Sequence, residues 1–304
     1  MDLRARCLEA VGKGVLPTKL TYCGEAAVAY DQLARHRGYE SLVMAVDNEV
    51  AAIRALPPPA ASSICDLGSG NGLHAVALMR GCAERGLPVR RYLALDISPR
   101  LLAIAELEVH AALPDVEVAA AEWDFEESVT AAIRRWRRGA PALIVMLGLT
   151  LGNVEDPRRV LANVRRSVEA GDMLLLGVAA APSEPGLALA AYRSREFMEA
   201  ALAPFVVLGL DADDLAVDVW WEPGCVRAAV RACRTVRFPG SAVVLNRNSR
   251  VTVMQSRRFR PDEIEGLAEA AGWRVAGETR LDAVGHLTVT LVATARPLQR
   301  QPDR

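Results

Sequence analysis

SSICDLGSGNGLH, residues 62–74, decides how the chain reads. A short apolar run holding Asp66 breaks at once into Gly68, Gly70 and Gly72, and a helical pattern follows through Leu73, Val76, Ala77 and Met79. Glycines at such a turn let the backbone bend sharply and let a ligand approach without meeting a Cβ. Strand, glycine turn and helix together describe the first βα crossing of a nucleotide-binding α/β sheet. The dinucleotide fingerprint is G-x-G-x-x-G, whereas this turn is G-S-G-N-G with an acid two residues before it. From these residues alone a dinucleotide, another nucleoside cofactor and a structural turn all remain open.

Outward from that turn, strands and helices alternate. Continuous apolar runs at 91–97, 116–123, 141–149 and 172–180 read as buried parallel strands, with helices at 99–111, 126–138 and 157–169 between them. Upstream, a helix over 47–56 meets the triple proline Pro57–Pro59, and residues 25–35 form another helical pattern. Tyr22, Tyr30 and Tyr39 cluster in this N-terminal part, three of the chain's five tyrosines. Past residue 181 the rhythm changes at Pro182, Pro185 and Gly186. A helix is expected at 187–203, 216–221 is ambiguous, and 226–238, 241–247 and 250–258 read as antiparallel strands. Pro261 opens a helix that Gly272 closes, and 274–281 with 286–296 make a closing hairpin.

Composition narrows the class. The chain has 304 residues, 51% hydrophobic and 24% charged, which describes a folded protein of one large or two modest domains. A net charge of −1 leaves no global field to attract nucleic acid or anionic membrane. The six cysteines form no C-x-x-C pair, so no metal site is expected and a reducing compartment fits. No secretory signal is visible in the first twenty residues, and the longest apolar runs stop short of the ~18 residues of a membrane span. The expectation is a cytoplasmic protein, a monomer or weak homodimer, acting on a small molecule rather than on nucleic acid.

In α/β sheets ligands bind at the carboxyl ends of the strands, so the residues ending each strand carry the chemistry. Asp96 ends the second strand, where a carboxylate can accept both hydroxyls of a ribose. Asp124, followed by Phe125, ends the third, where an acid beside an aromatic ring suits adenine. The glycine turn with its leading acid resembles motif I, D/E-x-G-x-G-x-G, of S-adenosylmethionine (SAM) dependent methyltransferases. A dehydrogenase explains Asp66 and Asp96 but has no need of Asp124-Phe125; SAM explains all of them.

A more specific resemblance lies in MLGLTLGNVEDP (146–157), which is similar to the "LGxTxGN" block of the histidine-specific SAM-dependent methyltransferase family. GEAAVAYDQLARHRGYES (24–41) resembles that family's N-terminal helix and "EYY" segment, AEWDF (121–125) its G-D-F block and ALAAY (188–192) its A-A-Y. SRRFRPDEIEGLAEAAGW (256–273) resembles its S-x-K-F signature helix. The resemblance implies an α/β fold: a Rossmann-like, seven-stranded class I SAM methyltransferase sheet over 47–181 and 257–304. A smaller α+β substrate-binding domain would come from 1–46 and 182–256. It implies that SAM, leaving as S-adenosylhomocysteine (SAH), lies against Asp66, Gly68, Ser69, Gly70, Asp96, Ile97, Asp124, Phe125, Leu147 and Gly148. Asn153, Tyr39 and Tyr192 are the implied catalytic residues, and they would bind substrate together with Tyr22, Met254 and Ser256.

One departure bears on the substrate. Where the family's histidine enzyme carries a glutamate two residues before its serine, this chain has Met254 ahead of Ser256. Positions i and i+2 on a strand face the same way. Methionine accepts no imidazole N–H, and leaving that donor buried and unpaired costs a few kcal/mol. The expectation is an N-methyltransferase for an amino acid or related amine other than histidine, with a non-basic side group, in specialised (natural-product) metabolism. The alternatives are O-methylation of a carboxylate or phenol, or SAM binding without transfer.

Overall fold

The computed structural model describes residues 2–56, 62–181, 189–277, 280–281 and 285–294. The triple proline, the 182–186 interruption, the start of the expected 187–203 helix and the C-terminal tail lie outside them. Five parallel strands form the centre: β1 (Ser63–Leu67), β2 (Arg91–Asp96), β3 (Glu117–Glu122), β4 (Leu143–Met146) and β5 (Met173–Ala180). Their order is β3-β2-β1-β4-β5, reversing direction at β1. The glycine turn follows β1 and so sits at the switch point where ligands bind. β1, β4 and β5 are buried almost throughout, because helices cover both faces.

The insertion supplies β6 (Leu215–Glu222), β7 (Cys225–Ala232), the two-residue β8 (Val236–Arg237) and β9 (Val244–Leu245), and β10 (Arg250–Phe259). β11 (Trp273–Val275), β12 (Arg280–Leu281) and β13 (His286–Ala293) close the chain. β13 runs antiparallel along β5, and β11 and β12 pair with its far edge. Counting β11 and β12 as one interrupted position, the sheet β3-β2-β1-β4-β5-β13-β11 has the seven positions expected, with the penultimate strand reversed.

The insertion differs from a self-contained sheet. β6 and β7 pair antiparallel, β7 pairs with β10, and the last residues of β10 add parallel to β5, Arg258 opposite Ala179 and Phe259 opposite Ala180. β4 stops opposite Leu176, which frees that edge of β5 for β10. Two of the three expected insertion strands are therefore shorter or split, and the ambiguous stretch is a full strand. A second cluster of buried side chains, drawn from Cys7 to Tyr39 and from Tyr192 to Met254, fills the space beneath these strands.

Two helices depart from expectation. The 126–138 helix is reduced to Ala132–Trp136, because Thr130 is held from both sides: its N–H donates to Ser167 Oγ and its hydroxyl caps Ala132 N. The helix expected at 187–203 instead runs Arg195–Val207, opened by Ser194, whose Oγ accepts from Phe197 N–H. It passes through Pro204 rather than stopping before it.

Docking of β10 on β5 brings its backbone over the segment after β4. There Gly152, in the short helix Thr150–Asn153, lies so close that a Cβ would sit 2.8 Å from the Arg257 carbonyl oxygen. That oxygen is backbone and cannot yield cheaply. Gly152→Ala is expected to lower stability by roughly 2 kcal/mol. Thermal denaturation with and without SAH checks this, and an unchanged melting temperature would contradict the close approach.

Candidate active site

β1 delivers Asp66 to the bottom of a cavity of about 680 Å³ that also reaches Gly68, Ser69, Gly70, His74 and Leu147. Gly68, with φ +72°, adopts a conformation that L side chains rarely take, and a Cβ there would come 2.9 Å from Thr150 Cγ2. Its N–H donates to the Leu95 carbonyl (2.8 Å), while Gly70 N–H donates to Asp96 Oδ2 (3.0 Å). The other Asp96 oxygen accepts from Ser98 N–H (2.9 Å). Asp96 thus holds the turn and the start of the next helix at once. Burial raises its pKa, against the lowering effect of the backbone N–H groups of Ser98, Gly70 and Ile97.

On the other side of Gly68 and Gly70 lies a second cavity of about 570 Å³, reaching Asp96, Ile97, Leu101, Phe125 and Gly148. The glycine turn is therefore a saddle between a lobe bearing Asp66 and His74 and a lobe bearing Asp96 and Phe125. A molecule with an amino-acid end and a nucleoside end fits that division. The first lobe offers one acid and one basic ring, matching a zwitterion; the second offers a carboxylate and an aromatic ring.

Asp66 is 6% exposed and accepts from Tyr92 Oη (2.8 Å). Burial raises its pKa to about 6, opposed by Tyr92 and His74. His74 Nε2 sits 2.9 Å from Glu49, itself 1% exposed. Burial pulls the imidazole down, but the Glu49 carboxylate outweighs it and the net shift is upward. Because the native pKa of Asp66 lies above its ordinary value of 3.8, the group favours the folded state below about pH 4 and loses that contribution as pH rises through about 6. Asp66→Asn is thus expected to stabilise the ligand-free protein at pH 7, by roughly 1–3 kcal/mol or a few degrees, and hardly at all near pH 4. Melting curves across that range check it; equal effects at both ends would contradict it.

A third cavity, about 470 Å³, adjoins the saddle and is lined by Tyr22, Tyr30, Tyr39, Asn153, Tyr192 and Met254 among others. The tyrosines come from the N-terminal helices and from the turn before Arg195–Val207; Asn153 ends the short helix after β4, and Met254 lies on β10. Tyr22 and Tyr30 pack with their rings tilted by 46° at 4.4 Å between centroids, and Tyr192 meets Phe197 edge-on at 5.1 Å. Burial pushes the Tyr22, Tyr30 and Tyr39 phenols up, so all three stay protonated at neutral pH. Asn153 lines both this cavity and the Asp96 lobe, and its Oδ1 is buried with no hydrogen-bond partner.

The residues named from sequence fall into three groups. Asp66, Ser69 and Leu147 line the first lobe, Asp96, Ile97 and Phe125 the second, and Gly68, Gly70 and Gly148 both. Tyr22, Tyr39, Asn153, Tyr192 and Met254 share the third cavity. Ser256 stands one layer behind, its Oγ accepting from Tyr192 Oη (3.0 Å). Asp124 departs from the adenine reading. Its carboxylate is taken by Lys19 Nζ (2.9 and 3.1 Å), and the wall of the lobe there is Lys19, Phe125 and Glu126. Lys19 comes from the N-terminal part, so no local pattern around Asp124 announces it.

Tyr30, which was not among the site residues named from sequence, lines all three cavities, close to Gly70. Its spacing from Tyr22 and Tyr39 is the one sequence signal that could have found it. His74 and Glu49 are likewise visible as a pair only in three dimensions. Among the described residues no group of three or more metal-ligating side chains occurs, and no helix is long and apolar enough to cross a membrane.

Comparison with known proteins shows the family. A histidine-specific, SAM-dependent methyltransferase family model matches residues 41–293. A histidine N-alpha-methyltransferase of Mycobacterium tuberculosis is 32% identical over 174 residues, 53% of this chain and 50% of that protein. One from Mycolicibacterium smegmatis is 29% identical over 179 residues, 58% and 54% of the two chains. The alignments span about half the length of these relatives. Among solved structures, the magnesium protoporphyrin IX methyltransferase of Synechocystis with bound SAH aligns over 91% of this chain and 98% of its own, at 12% identity and a TM-score of 0.48. The family match takes in the glycine turn, the strand-end acids, the Asn153 block and the strand carrying Met254, and the chain belongs to the histidine-specific, SAM-dependent methyltransferase family.

Proposed function

We propose that this protein is a SAM-dependent N-methyltransferase acting on the amine of an amino acid or related small molecule other than histidine. In this reading residues 1–46 and 182–256 build the acceptor part, and 47–181 with 257–304 the cofactor part. SAM, when bound, supplies a methyl group on a sulfonium centre open to in-line displacement. Asp66 and His74 would hold its amino-acid end, and Asp96 with Phe125 its nucleoside end. The observation that carries the acceptor reading is Asn153, whose buried, partnerless Oδ1 lies at the junction of the acceptor cavity and the cofactor lobe. An unmade buried acceptor costs about 1–3 kcal/mol, which an incoming ammonium would recover.

The chain's residues do two things for such an amine. The Asn153 amide offers one acceptor and two donors, matching an α-amine and its neighbouring carboxylate. The protonated tyrosines surround the nitrogen with rings and hydroxyls that accept from it. Desolvation among these rings lowers an ammonium's pKa and eases proton loss to water, after which the lone pair is available. The phenols of Tyr22, Tyr30 and Tyr39 are not poised to act as base, because burial moves all three upward. Orientation then does most of the work.

Met254 lines this cavity where the histidine enzyme's acid would stand, which supports a non-basic side group. Specialised metabolism is the setting we favour. Incubation with methyl-labelled SAM and a panel of amino acids, their α-hydroxy analogues and simple phenols tests the reading. Transfer to the amino acids alone supports it. Transfer to the hydroxy acids or phenols, or SAM binding without any transfer, contradicts it.

A further inference from the structure

Adenine carries a 6-amino group that donates hydrogen bonds, and the acid at the end of β3 is already engaged. Asp124 Oδ1 accepts from Lys19 Nζ and from Glu126 N–H, both at 3.1 Å, and Oδ2 accepts from Lys19 Nζ at 2.9 Å. Asp124 is not part of the nucleoside lobe's lining. Among the described residues the carboxylates that line it are Asp96 and Glu126.

Glu126 is 6% exposed. Its Oε2 accepts from Glu155 N–H at 3.0 Å, while the nearest cation to Oε1 is Lys19 Nζ at 3.9 Å. An ammonium has three N–H donors. Lys19 directs its three at Asp124 Oδ1, Asp124 Oδ2 and, at 3.1 Å, Glu127 Oε1, so none remains for Glu126. The buried acids of the first lobe differ, since Asp66 accepts from Tyr92 and both oxygens of Glu49 lie on His74. Burial raises the pKa of Glu126, opposed by Glu155 N–H and Lys19. A buried carboxylate oxygen without a donor is costly, and a ligand that brings the donor removes that cost.

Position narrows which donor that is. Glu126 follows Phe125, and both line the nucleoside lobe. Glu126 also borders an outer cavity shared with Glu155 and Arg227, but the tyrosine-lined acceptor cavity is walled by other residues. Its open oxygen is therefore placed for the base of the cofactor and not for the substrate amine.

We propose that Glu126 recognises the base of the cofactor, its Oε1 accepting a hydrogen bond from the 6-amino group of adenine beside the Phe125 ring. This rests on the nucleoside lobe assigned above and adds the residue that selects the base. Lys19 and Asp124 then serve to tie the N-terminal segment to the rim of the lobe. A base with oxygen at the 6 position would set that oxygen against the carboxylate.

Calorimetric titration of SAH against S-inosylhomocysteine, which has oxygen in place of the 6-amino group, tests the proposal. Wild type is expected to prefer SAH by on the order of 10- to 100-fold, as a charge-assisted hydrogen bond predicts. In Glu126→Gln the ratio is expected to fall toward one, because the amide can accept from the amine or donate to the oxygen. Glutamine also keeps an acceptor for Glu155 N–H, so the fold is retained. Glu126→Asp, which keeps the charge but draws it back by one methylene, should fall between, and Asp124→Asn should keep most of the preference. A wild-type ratio near one, a preference that survives Glu126→Gln, or one that survives there and collapses in Asp124→Asn overturns the inference. If Asp96→Ala leaves SAH binding intact, the nucleoside end lies outside this lobe, and the lobe assignment falls together with the proposal.

Discussion

Asp96→Ala is expected to weaken SAH binding by about 100-fold or more, the largest loss of any single substitution in the cofactor lobes. One oxygen of Asp96 accepts from Gly70 N–H at 3.0 Å and the other from Ser98 N–H at 2.9 Å, in a side chain only 6% exposed. Hydrogen bonds to a charged group are worth about 1.5–3 kcal/mol each, so alanine frees both donors and loosens the glycine turn. It also removes the carboxylate that faces the nucleoside lobe. Asparagine keeps one acceptor and should fall between alanine and wild type. Calorimetric titration with SAH and with adenosine reads the effect, which should appear for both. A loss confined to SAH would place Asp96 at the wrong lobe.

Asn153→Ala is expected to act in the opposite way, sparing the cofactor and removing turnover. Loss of the amide should lower kcat/KM for the amine by about 100-fold, equivalent to 2–3 kcal/mol, with SAH affinity changed by less than about threefold. Because Oδ1 has no partner in the ligand-free protein, the substitution removes an unpaired buried acceptor, and the melting temperature should hold or rise. A variant that melts lower and binds SAH poorly would make Asn153 a structural residue. One with wild-type kinetics would remove it from the site.

What could be read from the chain divides by sequence distance. The glycine turn, Asp66 and Asp96 lie on consecutive strand ends, and their roles follow from local spacing because a parallel sheet places such ends side by side. The seven-position sheet was legible for the same reason. The N-terminal tyrosines could be named, but Tyr30 could not be told from its neighbours: all three lie on amphipathic segments, and only packing against Gly70 distinguishes it. Asp124 shows the converse. Its place at the end of β3 is local, but Lys19, more than a hundred residues earlier, takes its carboxylate. The insertion was read least well, since β10 pairs with β7 and β5 at once and no periodicity within it reveals the second pairing. Pro204 marks a limit of breaker rules, because Ser194 and the packing of Phe197 and Phe205 set that helix's extent.

The lobes and the acceptor cavity make the same demand on stability. Asp66, ionised at neutral pH though buried, and Asn153, with an unpaired oxygen, both cost the ligand-free protein. Such costs concentrate where ligands complete the hydrogen bonding. Asp66→Asn and Asn153→Ala thus share an expected signature, equal or higher stability with impaired binding or turnover, which packing residues such as Gly152 would not show.

The central claim is that the cavity of Asn153 and the tyrosines presents an amine to the cofactor. Reaction with [methyl-13C]SAM and 15N-labelled amino acids, followed by NMR, tests it at the bond that forms. The account predicts a methyl carbon with one-bond coupling to nitrogen, stable to base, and absent in Asn153→Ala. A methyl carbon coupled to no nitrogen, lost on mild base treatment, would contradict it.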